Sequence, residues 1–125
     1  MKTTRARALA GAVMVLLAGC GGSSNKQLSY SDFISKANAI CRHAQAVSSK
    51  AKTPQESAAA SGPDLKKFKA LKPPDALKPA FDRFVSIAEQ QEAALRKGDV
   101  KTAQSLNSAD NAAASEMGTQ DCISH

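Results

Sequence analysis

From residue 28 onward, apolar positions recur at helical spacing and are interrupted by proline and glycine. Leu28-Ser29-Tyr30-Ser31-Asp32-Phe33 reads as a helix start, with Ser29 as N-cap, Asp32 as an acidic N3 residue and Leu28 stapled against Phe33. Phe33, Ala37, Ile40, Ala44 and Val47 then keep one face apolar, and the first helix should fade near Lys52. Thr53-Pro54-Gln55-Glu56 is a second start, with Pro54 at N1 and Glu56 closing a capping box. Gly62-Pro63 predicts that this second segment splits into short pieces over about 54–61 and 63–71. Lys72-Pro73-Pro74 ends it, because a residue before proline avoids the helical region.

Asp75 can cap a third helix, although Pro79 sits close to its start. Leu77, Phe81, Phe84, Ala88, Gln91 and Leu95 form its seam, and Glu92 with Arg96 adds an exposed i,i+4 pair. Lys97-Gly98-Asp99 stops and restarts the chain. A fourth helix is predicted over about 100–117, with Ala103, Leu106, Ala109, Ala113 and Met117 inward and Gly118 as its stop. Asn107 and Asp110 lie near that seam, where a polar notch could hold a ligand, but solvated flanking positions explain them more cheaply. No strand pattern competes, and no internal repeat is present. Short connections make neighbouring helices antiparallel. The expected fold is all-α: a small up-and-down bundle of three long helices and one broken short one.

The first residues have a different character. Lys2, Arg5 and Arg7 precede an apolar run from Ala8 to Ala18. Eleven helical residues cover about 16 Å, against roughly 30 Å of bilayer hydrocarbon, so the run is too short to span. A basic start, a short apolar middle and small residues before the break make a signal peptide. Ala6 separates the arginines, so it is not a twin-arginine signal.

Leu17-Ala18-Gly19-Cys20 resembles the lipobox of bacterial lipoproteins. That resemblance implies cleavage before Cys20 and a thioether to diacylglycerol carrying palmitate-like chains. An ordinary secretory signal cut elsewhere is the alternative. Two or three acyl chains hold a protein at a membrane where one does not. Gly21 to Gln27 is polar and glycine-rich, a flexible tether with a reach of roughly 15 Å. The expected organisation is a signal peptide over 1–19, a lipidated cysteine and tether over 20–28, and a helical domain over 29–125. The address is the extracytoplasmic face of the cell membrane.

Composition changes meaning once the signal is removed. The 125 residues become 106, enough for one domain. Lys plus Arg falls from 17 to 14 against 11 acids, so the net charge is about +3 instead of +6. The basic balance is thus no footprint of nucleic acid, and a chain without tryptophan lacks the stacking platform. With Cys20 consumed by lipid, Cys41 and Cys122 remain as a pair, and a disulfide is the default outside the cytoplasm.

Little in the chain suggests chemistry. Cys41, His43, Cys122 and His125 are a ligand set zinc would accept. On a helix, however, Cys41 and His43 project about 200° apart, and His125 is the last residue. A general base at His43 would need a nucleophile and an orienting group, and no Gly-x-Ser-x-Gly elbow is present. No Cys-x-x-Cys-His haem motif and no phosphate loop occurs, so no cofactor is expected. Lys66, Lys67, Lys69, Lys72 and Lys78 form the one charge cluster, a candidate contact patch for anionic headgroups or acidic polymers and otherwise a solvated face.

Ala37-Asn38-Ala39-Ile40-Cys41, Leu71-Lys72-Pro73-Pro74, Gly98-Asp99 and Gly118-Thr119-Gln120-Asp121-Cys122 resemble elements of a loose group of small exported helical proteins from high-GC Gram-positive bacteria. The resemblance implies a shared architecture and carries over no activity or site residue. The functional expectation is a lipid-anchored, non-enzymatic interaction or structural module of the cell envelope, in contact with the membrane through its anchor and with an envelope protein or polymer. A bundle that keeps a small molecule in an interhelical groove is the alternative.

Overall fold

The computed structural model describes residues 26–125. The signal segment, a short helix expected over about 5–18, and Cys20 with most of its tether lie outside the described residues. What is described is all-helical. The elements are α1 (Tyr30–Ser48), α2 (Pro54–Lys69), α3 (Lys78–Arg96), α4 (Val100–Ser105) and α5 (Asn107–Met117), with single 3-10 turns at Asp75–Leu77 and Gln120–Cys122. The bundle expected from the periodicity is present, as four helical rods of which the last, α4 with α5, is broken.

Several boundaries follow from local chemistry. The Ser29 hydroxyl accepts from the Asp32 amide at 3.2 Å, and Thr53 Oγ1 accepts from the Glu56 amide at 3.1 Å. Glu56 Oε2 reaches back to the Lys52 amide instead of the cap's own, one residue beyond an ideal capping box. Gly98 and Gly118 take φ of 75° and 77°, the left-handed region that stops a helix without steric cost only for glycine. At Gly118 a Cβ would also lie 2.8 Å from the Tyr30 hydroxyl. Asp99 caps α4 by accepting from the Thr102 amide.

Four details correct the sequence reading. First, α1 ends at Ser48, four residues before Lys52. Second, α2 runs unbroken through Gly62 and Pro63. An internal proline costs about 3 kcal/mol, yet Ala58 lies buried before it and Asp64 and Phe68 after it, so packing on both sides holds the helix together. Gly62 helps, because Glu92 and Arg96 of α3 stand only 3.4 Å from where its Cβ would be. Third, Asp75 does not cap α3; its carboxylate accepts from Gln27 Nε2 at 2.7 Å.

The fourth correction is the break expected in α2, which occurs instead at Leu106, between α4 and α5. There the Gln91 side chain of α3 donates to the Ala103 carbonyl at 3.3 Å and to Asn107 Oδ1 at 2.8 Å. A side chain inserted into the helical ladder interrupts it. The inward stripe keeps Ala103, Ala113 and Met117 as expected but not Ala109. Asp110, Ala113, Ala114 and Met117 are buried on α5, while Ala109 faces solvent.

Phe33, Phe68, Phe81 and Phe84 all face inward, as their spacing predicts. Phe68 stacks on Phe81 with centroids 5.5 Å apart and tilts against Phe84 at 4.8 Å, while Phe33 meets Phe81 edge-on. Such pairs add about 0.5–1.5 kcal/mol each beyond the area they bury. α1 packs on α2, α2 on α3, and α3 on both α4 and α5. The C-terminal turn reaches across to α1, where Cys41 and Cys122 are disulfide-bonded with α-carbons 5.0 Å apart. Asn38 accepts from the Asp121 amide, Gln45 donates to its carbonyl, and Asn111 makes a two-way backbone pair with Ser124. These contacts fasten the tail between α1 and α5.

Candidate functional site

With its tail held in this way, the domain has a groove of about 260 Å³ bounded by α1, α2, α3, α5 and the C-terminal segment. Its floor and walls are apolar: Ile40 and Ala44 from α1, Leu65 and Phe68 from α2, Phe84 and Ala88 from α3. The Cys41–Cys122 bridge lies on the same surface. The volume is just under the usual range for ligand sites, so the groove suits a small occupant.

Four polar side chains converge on this apolar surface. Asp64 of α2 is buried and its Oδ2 lies 2.7 Å from His43 Nδ1. Gln91 of α3 and Asn107 of α5 are joined by the hydrogen bond that breaks the last helix. Asp110, one turn on from Asn107, is only 7% exposed, and its Oδ1 is buried with no hydrogen-bond partner. Burial pushes the Asp110 carboxyl up to about 7 from an ordinary value of 3.8. An unpaired buried carboxyl costs free energy, and native proteins seldom retain one without a partner. Glu92 also reaches the groove, but its Oε1 is held by Arg96 at 2.6 Å, the i,i+4 pair expected from the sequence.

The expectation of solvated flanking positions is therefore overturned for Asp110. Asp110 stands seven positions after Ala103 and seven before Met117, so it shares their buried face. A signal for this existed: Asp110, Ala113, Ala114 and Met117 share helical spacing, but in an alanine-rich segment Ala109 fits an equally good stripe. The Asp64–His43 pair left no comparable trace, since the two residues are on different helices.

The other sequence candidates fall elsewhere. His43 is exposed, at 62% of its side chain, and its Nδ1 is engaged by Asp64. Cys41 and Cys122 are joined to each other, so neither is a thiolate available to a metal. Among the described residues, no cluster of three or more His, Cys, Asp or Glu side chains is placed to hold a metal ion.

Lys66, Lys67, Lys69 and Lys72 are all exposed around the C-terminal end of α2. Lys69 pairs with Glu89, and nearby Lys78 pairs with Asp82. These lysines surround the end of the bundle where the chain enters. The Leu28 amide donates to the Lys72 carbonyl at 2.8 Å, and Gln27 Nε2 donates to the Pro73 carbonyl. Ordered contacts thus begin two residues before the expected domain start.

No helix among the described residues is long and apolar enough to cross a membrane. No protein-family model, curated protein or solved structure matches the chain, so its fold and its groove stand on their own geometry.

Proposed function

We propose that the protein is a lipid-anchored component of the cell envelope that works by binding, and that its interhelical groove holds a small molecule. The observation that carries the binding reading is Asp110, a buried carboxyl whose Oδ1 has no partner, on the wall of a groove with apolar sides. The anchor rests on the signal segment and the Leu17-Ala18-Gly19-Cys20 sequence. Non-enzymatic action is the simpler account of His43: Asp64 orients its Nδ1, but no serine, threonine or cysteine among the described residues is hydrogen-bonded to its ring.

Mass spectrometry of the protein extracted from its own envelope tests both halves. The denatured mass is expected to exceed that of residues 20–125 by a diacylglyceryl group, and Cys20→Ser to abolish the increment. Under native conditions a small molecule should remain bound and be lost from Ala88→Phe, which fills the groove. An unmodified chain would overturn the anchor. A chain that carries nothing, and whose melting is unmoved by a small-molecule library, would overturn the groove.

A second contact is supported by the position of the lysines. Chain entry beside Lys72 brings them to the end of the domain nearest the tether, and each lysine close to an anionic surface contributes about 1 kcal/mol. Replacing Lys66, Lys67, Lys69 and Lys72 together by glutamine is expected to leave the helical circular-dichroism signal intact. It should weaken crosslinking to envelope partners, and the difference should shrink as salt rises. Crosslinks that do not change would remove the patch as a contact.

A further inference from the structure

Building on the groove as the binding site, we infer that its ligand is a small organic cation, an ammonium group on an apolar body, with the ammonium against the Asp110 carboxyl. The charged side chains on the wall are all carboxyls, those of Asp64, Glu92 and Asp110. Gln91 spends its amide nitrogen on Ala103 and Asn107, which leaves its carbonyl oxygen as an acceptor. Asp64 and Glu92 each have one oxygen engaged, by His43 and Arg96 respectively. No lysine or arginine lines the groove.

Charge complementarity therefore favours a ligand that brings positive charge with its donors, and Asn107 Nδ2 is the one amide donor left beside them. An ammonium has three N–H donors and no acceptor. A carboxylate or phosphate would face three carboxyl groups without a cation to receive it. The apolar walls from Ile40, Leu65, Phe68 and Phe84 receive the body of the ligand.

Proton competition follows from the same geometry. Asp110 attracts a cation when ionised, and burial raises its carboxyl to about 7. Its ionised fraction falls about tenfold between pH 8 and pH 6, so affinity should fall by about the same factor. The other charged groups at the groove are Asp64 with its partner His43 from α2 and α1, and Glu92 with Arg96 from α3. Asp110→Asn removes the one raised carboxyl among them.

The test uses the full lipidated protein in detergent with phenethylamine and two companions of matching shape, neutral phenethyl alcohol and anionic hydrocinnamate. Amide chemical-shift mapping locates each probe and its titration gives the affinity. The expected result is one phenethylamine, with shifts at Phe68, Phe84 and Asp110, binding at least about tenfold tighter than either companion at pH 8. That preference and most of the pH dependence should vanish in Asp110→Asn, while the neutral alcohol binds the variant as it binds the wild type. Equal binding of amine and alcohol in the groove would overturn the cation and leave the groove standing. No probe of any charge shifting those residues at about 10 mM would overturn both.

Discussion

Replacing Cys41 and Cys122 together by alanine is expected to lower the stability of the helical domain by about 4–5 kcal/mol. The two cysteines are 81 positions apart, so the bridge closes nearly the whole folded chain into one loop and removes much of the unfolded chain's freedom. The loss is large for this fold because its core is small: apart from four phenylalanines, Leu77 and Met117, the buried apolar side chains are alanines and the two cysteines themselves. At roughly 4–8 °C per kcal/mol for a domain of this size, thermal unfolding should drop by about 20 °C or more. Adding a reductant to the wild type should reproduce the effect. The tail would retain Asn111–Ser124 and Arg42–Asp121, but its hold on α1 would depend on exposed polar contacts alone. Since Cys122 and Ser124 form one wall of the groove, the variant should also lose ligand affinity. A melting temperature within a few degrees of the wild type would show that the helices pack without the staple.

Asp110→Asn is expected to do the reverse and stabilise the ligand-free protein above neutral pH. The folded state raises this carboxyl to about 7 by burial, above its ordinary 3.8. It therefore holds its proton more tightly than the unfolded chain does. That contribution is fully present below about pH 4, is lost as pH rises towards 7, and stays lost at higher pH. Wild-type stability should thus decline across this window for a reason confined to one residue. Asparagine keeps the shape without the charge, so the variant should lose that decline and be more stable at pH 8 by roughly 2–4 kcal/mol. Asp99 does not confuse the measurement. Hydrogen bonds from the Thr102 side chain and backbone hold its carboxyl below the ordinary value, so its contribution is lost only at still more acid pH. Thermal unfolding of both proteins at pH 5 and pH 8 decides the matter. A variant less stable than wild type at pH 8 would mean that the carboxylate has a partner after all. Gain of stability with loss of ligand is the trade expected of a functional group kept at a cost.

Most of the elements were legible because their causes are short-range. Ser29 and Thr53 satisfy helix amides three residues away, and the glycines at 98 and 118 adopt a conformation other residues resist. The aromatic seam follows from a period of 3.6 residues, which needs no knowledge of what lies opposite. Cysteine parity predicted the Cys41–Cys122 pair across 81 positions for a different reason: once Cys20 was assigned elsewhere, the remaining two had only each other.

Tertiary contacts decided the rest where local preferences were weak enough to be outvoted. A few kcal/mol against Pro63 were overcome by the buried residues on both sides of it, so α2 continues. At Leu106 no local breaker is present, yet the amide of Gln91, sixteen positions before Asn107, ends the ladder from outside. Asp110, seven positions from both Ala103 and Met117, lies with them on the inner face, and Ala109 faces solvent. The sequence by itself determined the helices, their caps and the cysteine staple. Which polar side chain would be buried without a partner was decided only when four helices met, because a partner has to come from the element that stands opposite.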